Sequence, residues 1–162
     1  MDAKTYLSQV RNDKQRMEQL NGELKYLNDE LVSLHASVQK ESLRKGLPKK
    51  SGFADQVDRL YDLQSYMTQV NAALTEQRET IALRIMGMEN PKYREVLYDY
   101  YILGLNLTEV SERMDLGYDR VKHLHLEALR AFERTYPEIR DLPEKDWRKI
   151  WDEGQSTLNN PK

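Results

Sequence analysis

Apolar residues recur at seven-residue spacing along the first 38 residues of the chain. Two interleaved series carry the repeat: Ala3, Val10, Met17, Leu24, Leu31 and Val38, and Tyr6, Asp13, Leu20, Leu27 and Leu34, in which Asp13 is the one polar member. Charged and amide side chains fill most positions between them. This heptad pattern predicts a coiled-coil helix, whose leucine seam requires a partner helix in the same chain or in another.

A second heptad series runs over residues 53–88, and all of its members are apolar: Phe53, Leu60, Met67, Leu74, Ile81 and Met88. The segment 40–52 between the two series contains two glycines and one proline, which break helical geometry. It also holds five basic residues against one acidic residue. We interpret it as a solvated linker; the alternative is an auxiliary loop that contacts phosphate groups.

Two helices of similar length joined by a linker predict an antiparallel hairpin over residues 1–88. A two-helix hairpin buries little apolar surface on its own. We therefore expect two copies to associate through the coiled coil as a homodimer.

Residues 89–136 carry a pattern of shorter helices. Asn90 and Pro91 open a helix expected over residues 91–103, and Gly104 ends it. The stretch 106–134 then reads as two helices separated by a tight turn. Its apolar positions suit a helix-turn-helix, in which the second helix is presented to a DNA major groove: Val110, Met114, Leu116, Val121 and Leu124.

Local signals set the bounds of this motif. Thr108 is expected as the N-cap of its first helix, and Asp115 occupies the position in the turn that favours a left-handed backbone. Gly117 is expected as the N-cap of the second helix, over residues 118–134, and Pro137 ends it. We expect one side of that second helix to face the core: Val121, Leu124, Ala128, Leu129 and Phe132.

Residues 137–162 form a C-terminal extension with one further candidate helix, and Trp147, Ile150 and Trp151 line one side of it. Two interpretations stay open. The tryptophans pack on the chain's own core, or they form a surface for a protein partner, because exposed tryptophans often anchor interfaces.

Composition narrows the classes of function. The chain has no cysteine, which excludes disulfides and thiolate chemistry, and its formal net charge of −2 gives no overall basic signature for nucleic acid. No window approaches the roughly 20 apolar residues that span a bilayer, and the N-terminus lacks a secretory signal. We expect a cytoplasmic protein without cofactor or metal.

His123 and His125 point to different helix faces, and neither a phosphate loop nor a nucleophile motif is present, so an enzyme is not expected.

These motifs together resemble a known family. The run Tyr93-Arg94-Glu95-Val96-Leu97, the run Tyr101-Ile102-Leu103-Gly104-Leu105 and the register of residues 110–129 resemble region 4 of sigma-70-type factors. A coiled-coil hairpin ahead of such a helix-turn-helix resembles the phage transcriptional regulators of the ArpU and RinA type. The expected fold class is therefore all-α: a long N-terminal antiparallel coiled-coil hairpin (1–88), a sigma-region-4-like helix-turn-helix domain (89–136) and the extension.

The resemblance implies sequence-specific binding of double-stranded DNA and control of late genes of a phage or a mobile element. It implies that four residues face the groove, namely Tyr118, Asp119, Lys122 and His123, with Arg120 on phosphate. Thr108, at the start of the first helix, is the sixth candidate DNA-binding residue. Asp119 can accept a hydrogen bond from cytosine, and Lys122 or His123 can donate one to guanine.

Residues 104–134 hold five basic residues against six acidic residues. Binding of DNA by one copy is therefore expected to be weak unless the acidic side chains face away from it. Two alternatives to a dimeric regulator remain. One is a DNA-recognition oligomer of the phage terminase small-subunit kind, and the other is an adaptor that binds bacterial RNA polymerase through Trp147 and Trp151.

Overall fold

The computed structural model describes residues 1–42 and 51–143, and every regular element in those ranges is helical. The predicted all-α class is confirmed. The helices are α1 (Ala3–Ser42), α2 (Ser51–Met86), α3 (Pro91–Leu97), which continues as a π-helical turn (Tyr98–Ile102), α4 (Leu107–Met114), α5 (Tyr118–Thr135) and a final 3-10 turn (Pro137–Asp141). None of the helices in these ranges is both long enough and apolar enough to cross a membrane.

The ends of the two long helices differ from the expected linker bounds of 40–52. Helix α1 continues to Ser42 and α2 already begins at Ser51, while residues 43–50 lie outside the described residues. By its contacts the chain divides into two compact units. Of the described residues, 1–16 belong with 73–143 in what we call the first unit, and 17–42 belong with 51–72 in the second unit.

In the second unit, polar contacts join α1 and α2 in a regular order. Asn71 bonds to Asn21 at 3.2 Å, Gln64 bonds to Asn28, and the His35 ring bonds to the Tyr61 hydroxyl at 2.9 Å. Residue numbers fall along one segment as they rise along the other, so the two segments run in opposite directions. Apolar side chains beside these contacts are buried within the single chain: Leu20, Leu27, Leu31, Met67 and Val70.

The first unit has one apolar core to which all of its helices contribute. The start of α1, the end of α2, and the helices α3 to α5 surround it. The largest fully buried side chains include Leu7, Ile81, Leu97, Tyr101 and Phe132. Asp13, the polar member of the first heptad series, is also buried, and its carboxylate lies 3.5 Å from Arg16.

The expected helix over residues 91–103 changes geometry halfway. The Asn90 side chain accepts a hydrogen bond from the Lys92 N–H at 3.0 Å, so the predicted start of the helix is confirmed. After Leu97, however, the Leu103 N–H bonds to the Tyr98 carbonyl five residues back, at 3.0 Å. Gly104 then ends the helix with a φ of +78°, a conformation that glycine adopts at no steric cost.

Candidate nucleic-acid interface

Helices α4 and α5 are joined by a three-residue turn. Asp115 adopts the left-handed conformation expected of it, with φ 53° and ψ 45°. The Leu116 N–H donates to the Ser111 carbonyl at 3.0 Å and thereby occupies one of the free carbonyls at the end of α4. Gly117 is the N-cap of α5, as predicted, with an extended backbone and no side chain to contribute.

The N-cap of α4 is Asn106, so the prediction of Thr108 is wrong. The Asn106 side chain accepts from the Glu109 N–H at 2.9 Å, and the Glu109 carboxylate accepts from the Asn106 N–H at 2.7 Å. This reciprocal pair forms a capping box, and its sequence signature, a cap residue followed three positions later by Glu, was present. Counted from Thr108, the third position is Ser111, which cannot complete the pair. Thr108 is the second residue of α4, and its side chain is exposed.

One side of α5 is fixed to the core. Val121, Leu124, Ala128, Leu129 and Phe132 are buried, as their spacing predicted. This packing holds α5 in place along most of its length.

His125 is buried on that same side, and sequence reasoning missed it. Its Nε2 atom lies 3.1 Å from the Tyr101 hydroxyl, and the two rings stack at 5.6 Å. Burial, aided by the positive charges of Lys4 and Arg11, lowers the pKa of His125 to about 4. His125 lies four residues after Val121 and three residues before Ala128. This helical spacing could have revealed its burial.

The opposite side of α5 presents the remaining candidate residues together on its first two turns. Asp119, Arg120, Lys122 and His123 are exposed, and Tyr118 is 49% exposed. Among the residues that the structure describes, none makes a hydrogen bond or ion pair with these five side chains. They therefore carry donors and acceptors that are free to meet a ligand.

Contacts account for several acidic groups in this region. Glu109 is engaged in the capping box, the Glu133 carboxylate accepts from the Ala3 N–H at 3.0 Å, and Glu127 lies 3.5 Å from the Tyr93 hydroxyl. The first two turns of α5 carry two basic residues, Arg120 and Lys122, and one acidic residue, Asp119. That surface has a local excess of one positive charge even though residues 104–134 are acidic as a whole.

Trp147 and Trp151, the candidate partner-binding residues, lie outside the described residues, so the two interpretations of the extension both stay predictions.

In comparisons with known proteins, no protein family, no curated protein and no solved structure matches this chain.

Proposed function

We propose that the chain is a sequence-specific DNA-binding regulator of transcription, with α4 and α5 as a helix-turn-helix. In this proposal the first two turns of α5 lie in the major groove. Tyr118, Asp119, Lys122 and His123 contact base edges, and Arg120 contacts phosphate. In the same proposal Thr108, which is exposed at the second position of α4, contacts the DNA backbone.

The observation that carries this proposal is the division of α5 into two faces. One face is packed into the core from Val121 to Phe132, over about three turns, which makes the helix a rigid support. The other presents five polar or aromatic side chains that no described residue engages. A rigid helix with unengaged hydrogen-bonding groups at its N-terminal end is what direct readout of a groove requires.

We further propose that the regulator acts as a dimer. The first two turns of α5 carry an excess of only one positive charge, so each copy makes few contacts with phosphate groups. Contacts with phosphate supply most of the non-specific affinity for DNA. Two copies on adjacent half-sites double the contacts. The long α1–α2 hairpin, as a coiled coil, is the proposed means of association, and control of phage or mobile-element late genes is the proposed setting.

Selection from a pool of random-sequence duplexes tests this function without knowledge of the operator. The full chain is immobilised, bound duplexes are amplified, and the enriched sequence is footprinted. Enrichment of a two-fold-related site, with half-sites one or more helical turns apart, is the expected result. A pool that stays random after repeated rounds would overturn the proposal.

A further inference from the structure

The end of the π-helical turn is held by cationic side chains from the two long helices. Lys14 Nζ donates to the Leu103 carbonyl at 3.0 Å, and Arg78 Nη2 donates to the Ile102 carbonyl at 3.4 Å. Carbonyls at the C-terminus of a helix lack partners within it and carry partial negative charge. Cations at these positions therefore stabilise the point where the chain leaves the helix for α4.

Arg11 joins this end of the helix to the start of α4. Its Nη1 atom donates to the Tyr100 carbonyl at 3.3 Å and to the Leu105 carbonyl at 3.2 Å. Leu105 directly precedes Asn106, the N-cap of α4. One guanidinium group therefore fixes where α4 begins relative to the helix before it.

Arg11 also contacts the support of α5. Its guanidinium carbon lies 4.1 Å from the centroid of the Tyr100 ring, a favourable cation–π distance. The Tyr100 ring in turn lies 4.9 Å from the ring of His125, on the buried face of α5. Arg11 thus acts on α4 through Leu105 and on α5 through Tyr100.

We propose that Arg11 is a positioning residue for the DNA-reading surface. It holds the loop 103–106, and with it α4 and α5, in the orientation that lets α5 enter the groove. Its role rests on the proposed function, and it acts through Leu105 and Tyr100 rather than on DNA itself. In this proposal the first turns of α1 support the DNA-reading surface and do not serve only in a coiled coil.

The test compares Arg11→Met and Arg11→Lys with a matched control, Lys25→Met, which removes one positive charge from an exposed position of α1 in the second unit. Hydrogen–deuterium exchange of the full chain measures protection of residues 103–114. Titrations over a series of salt concentrations measure affinity for the enriched duplex. Circular dichroism checks that each variant is folded. If Arg11→Met does not fold, Arg11→Lys takes its place in the test.

For Arg11→Met we expect faster exchange of residues 103–114 and about tenfold weaker binding, with the salt dependence of wild type. A residue on phosphate would instead lower the salt slope by about one. Arg11→Lys should be intermediate, because lysine keeps the positive charge but lacks the planar guanidinium that stacks on the Tyr100 ring while it donates to two carbonyls. Lys25→Met should match wild type.

Unchanged exchange, unchanged affinity or a reduced salt slope in Arg11→Met would each overturn the proposal. If no duplex is enriched from the pool, the proposed function fails and the DNA part of this inference fails with it. Faster exchange of residues 103–114 would then still show that Arg11 sets the start of α4, so the two failures are distinguishable.

Discussion

The carboxylate Oδ2 atom of Asp99 lies 3.1 Å from the Nε atom of Arg113, and this ion pair joins the π-helical turn to the last turn of α4. The Asp99 side chain is only 4% exposed, whereas that of Arg113 is 58% exposed. Burial raises the pKa of the Asp99 carboxyl, and the charge of Arg113 counteracts part of that rise. The first unit therefore holds a buried charge whose cost depends on one partly exposed arginine.

Replacing Arg113 by Met should expose that cost. We expect the free energy of unfolding at neutral pH to fall by about 1–3 kcal/mol, because the carboxylate loses a charged partner. Since the pKa of Asp99 is raised in the folded state, the folded protein takes up its proton first, and the deficit should shrink as the pH falls through that raised value. Urea unfolding at neutral and acidic pH measures this, with the exposed Arg134→Met as control. A deficit that is the same at both pH values would contradict it.

The pKa of His125 makes the first unit sensitive to acid. Its folded value of about 4 lies below the ordinary value of 6.5, so its contribution to stability is present above 6.5 and is lost as the pH falls toward 4. The slope is at most roughly 1.4 kcal/mol per pH unit. His125→Gln, which can still bond to the Tyr101 hydroxyl, should flatten this part of a stability–pH curve. His123→Gln, at an exposed position, should leave the curve unchanged, and equal curves for both variants would refute the assignment.

At the start of α4 the structure differs from the sequence-based expectation, because the N-cap is Asn106 and not Thr108. Asn106→Ala should lower the free energy of unfolding by about 1 kcal/mol, because the Glu109 N–H loses its acceptor. Thr108→Ala should change it little, since the Thr108 side chain is exposed and caps nothing. Thermal unfolding of the two variants decides between the two positions, and a larger effect of Thr108→Ala would restore the original expectation.

Just after the end of α2, a side chain at Gly87 would require the Tyr136 hydroxyl to move. A Cβ atom there would lie 2.7 Å from the Tyr136 hydroxyl, which donates to the Arg84 carbonyl at 2.7 Å. Gly87→Ala should therefore cost about 1–3 kcal/mol of stability through overpacking. Adding Tyr136→Phe removes the clashing oxygen, so the double variant should recover part of that loss. Additive destabilisation in the double-mutant cycle would speak against the contact.

The heptad spacing was sufficient to predict the long helices, because burying one seam of a helix leaves a periodic signal. It could not show that residues 3–16 and residues 17–38 belong to different units, since the same repeat runs through both. Which segments share a core depends on contacts between residues far apart in the chain.

In the candidate interface, the backbone features that were predicted correctly depend on local chemistry. The left-handed Asp115 and the cap at Gly117 follow from the turn itself. The burial of Asp99 and the contacts of Arg11 could not be predicted, because each depends on a partner that the fold brings from more than ten residues away. Asn106 and His125 are different, since their signals were present at local spacing.

The claim that the exposed first turns of α5 read DNA sequence is tested most directly by titrating the full chain into the enriched duplex and into random duplex. The double variant Lys122→Ala, His123→Ala is compared with a control, Lys25→Ala, Gln15→Ala, which removes one lysine and one polar side chain from exposed positions of α1. We predict saturable binding that prefers the enriched duplex, loss of that preference in the first variant, and its retention in the second. Equally tight binding to random DNA, or an unaffected first variant, would contradict the claim.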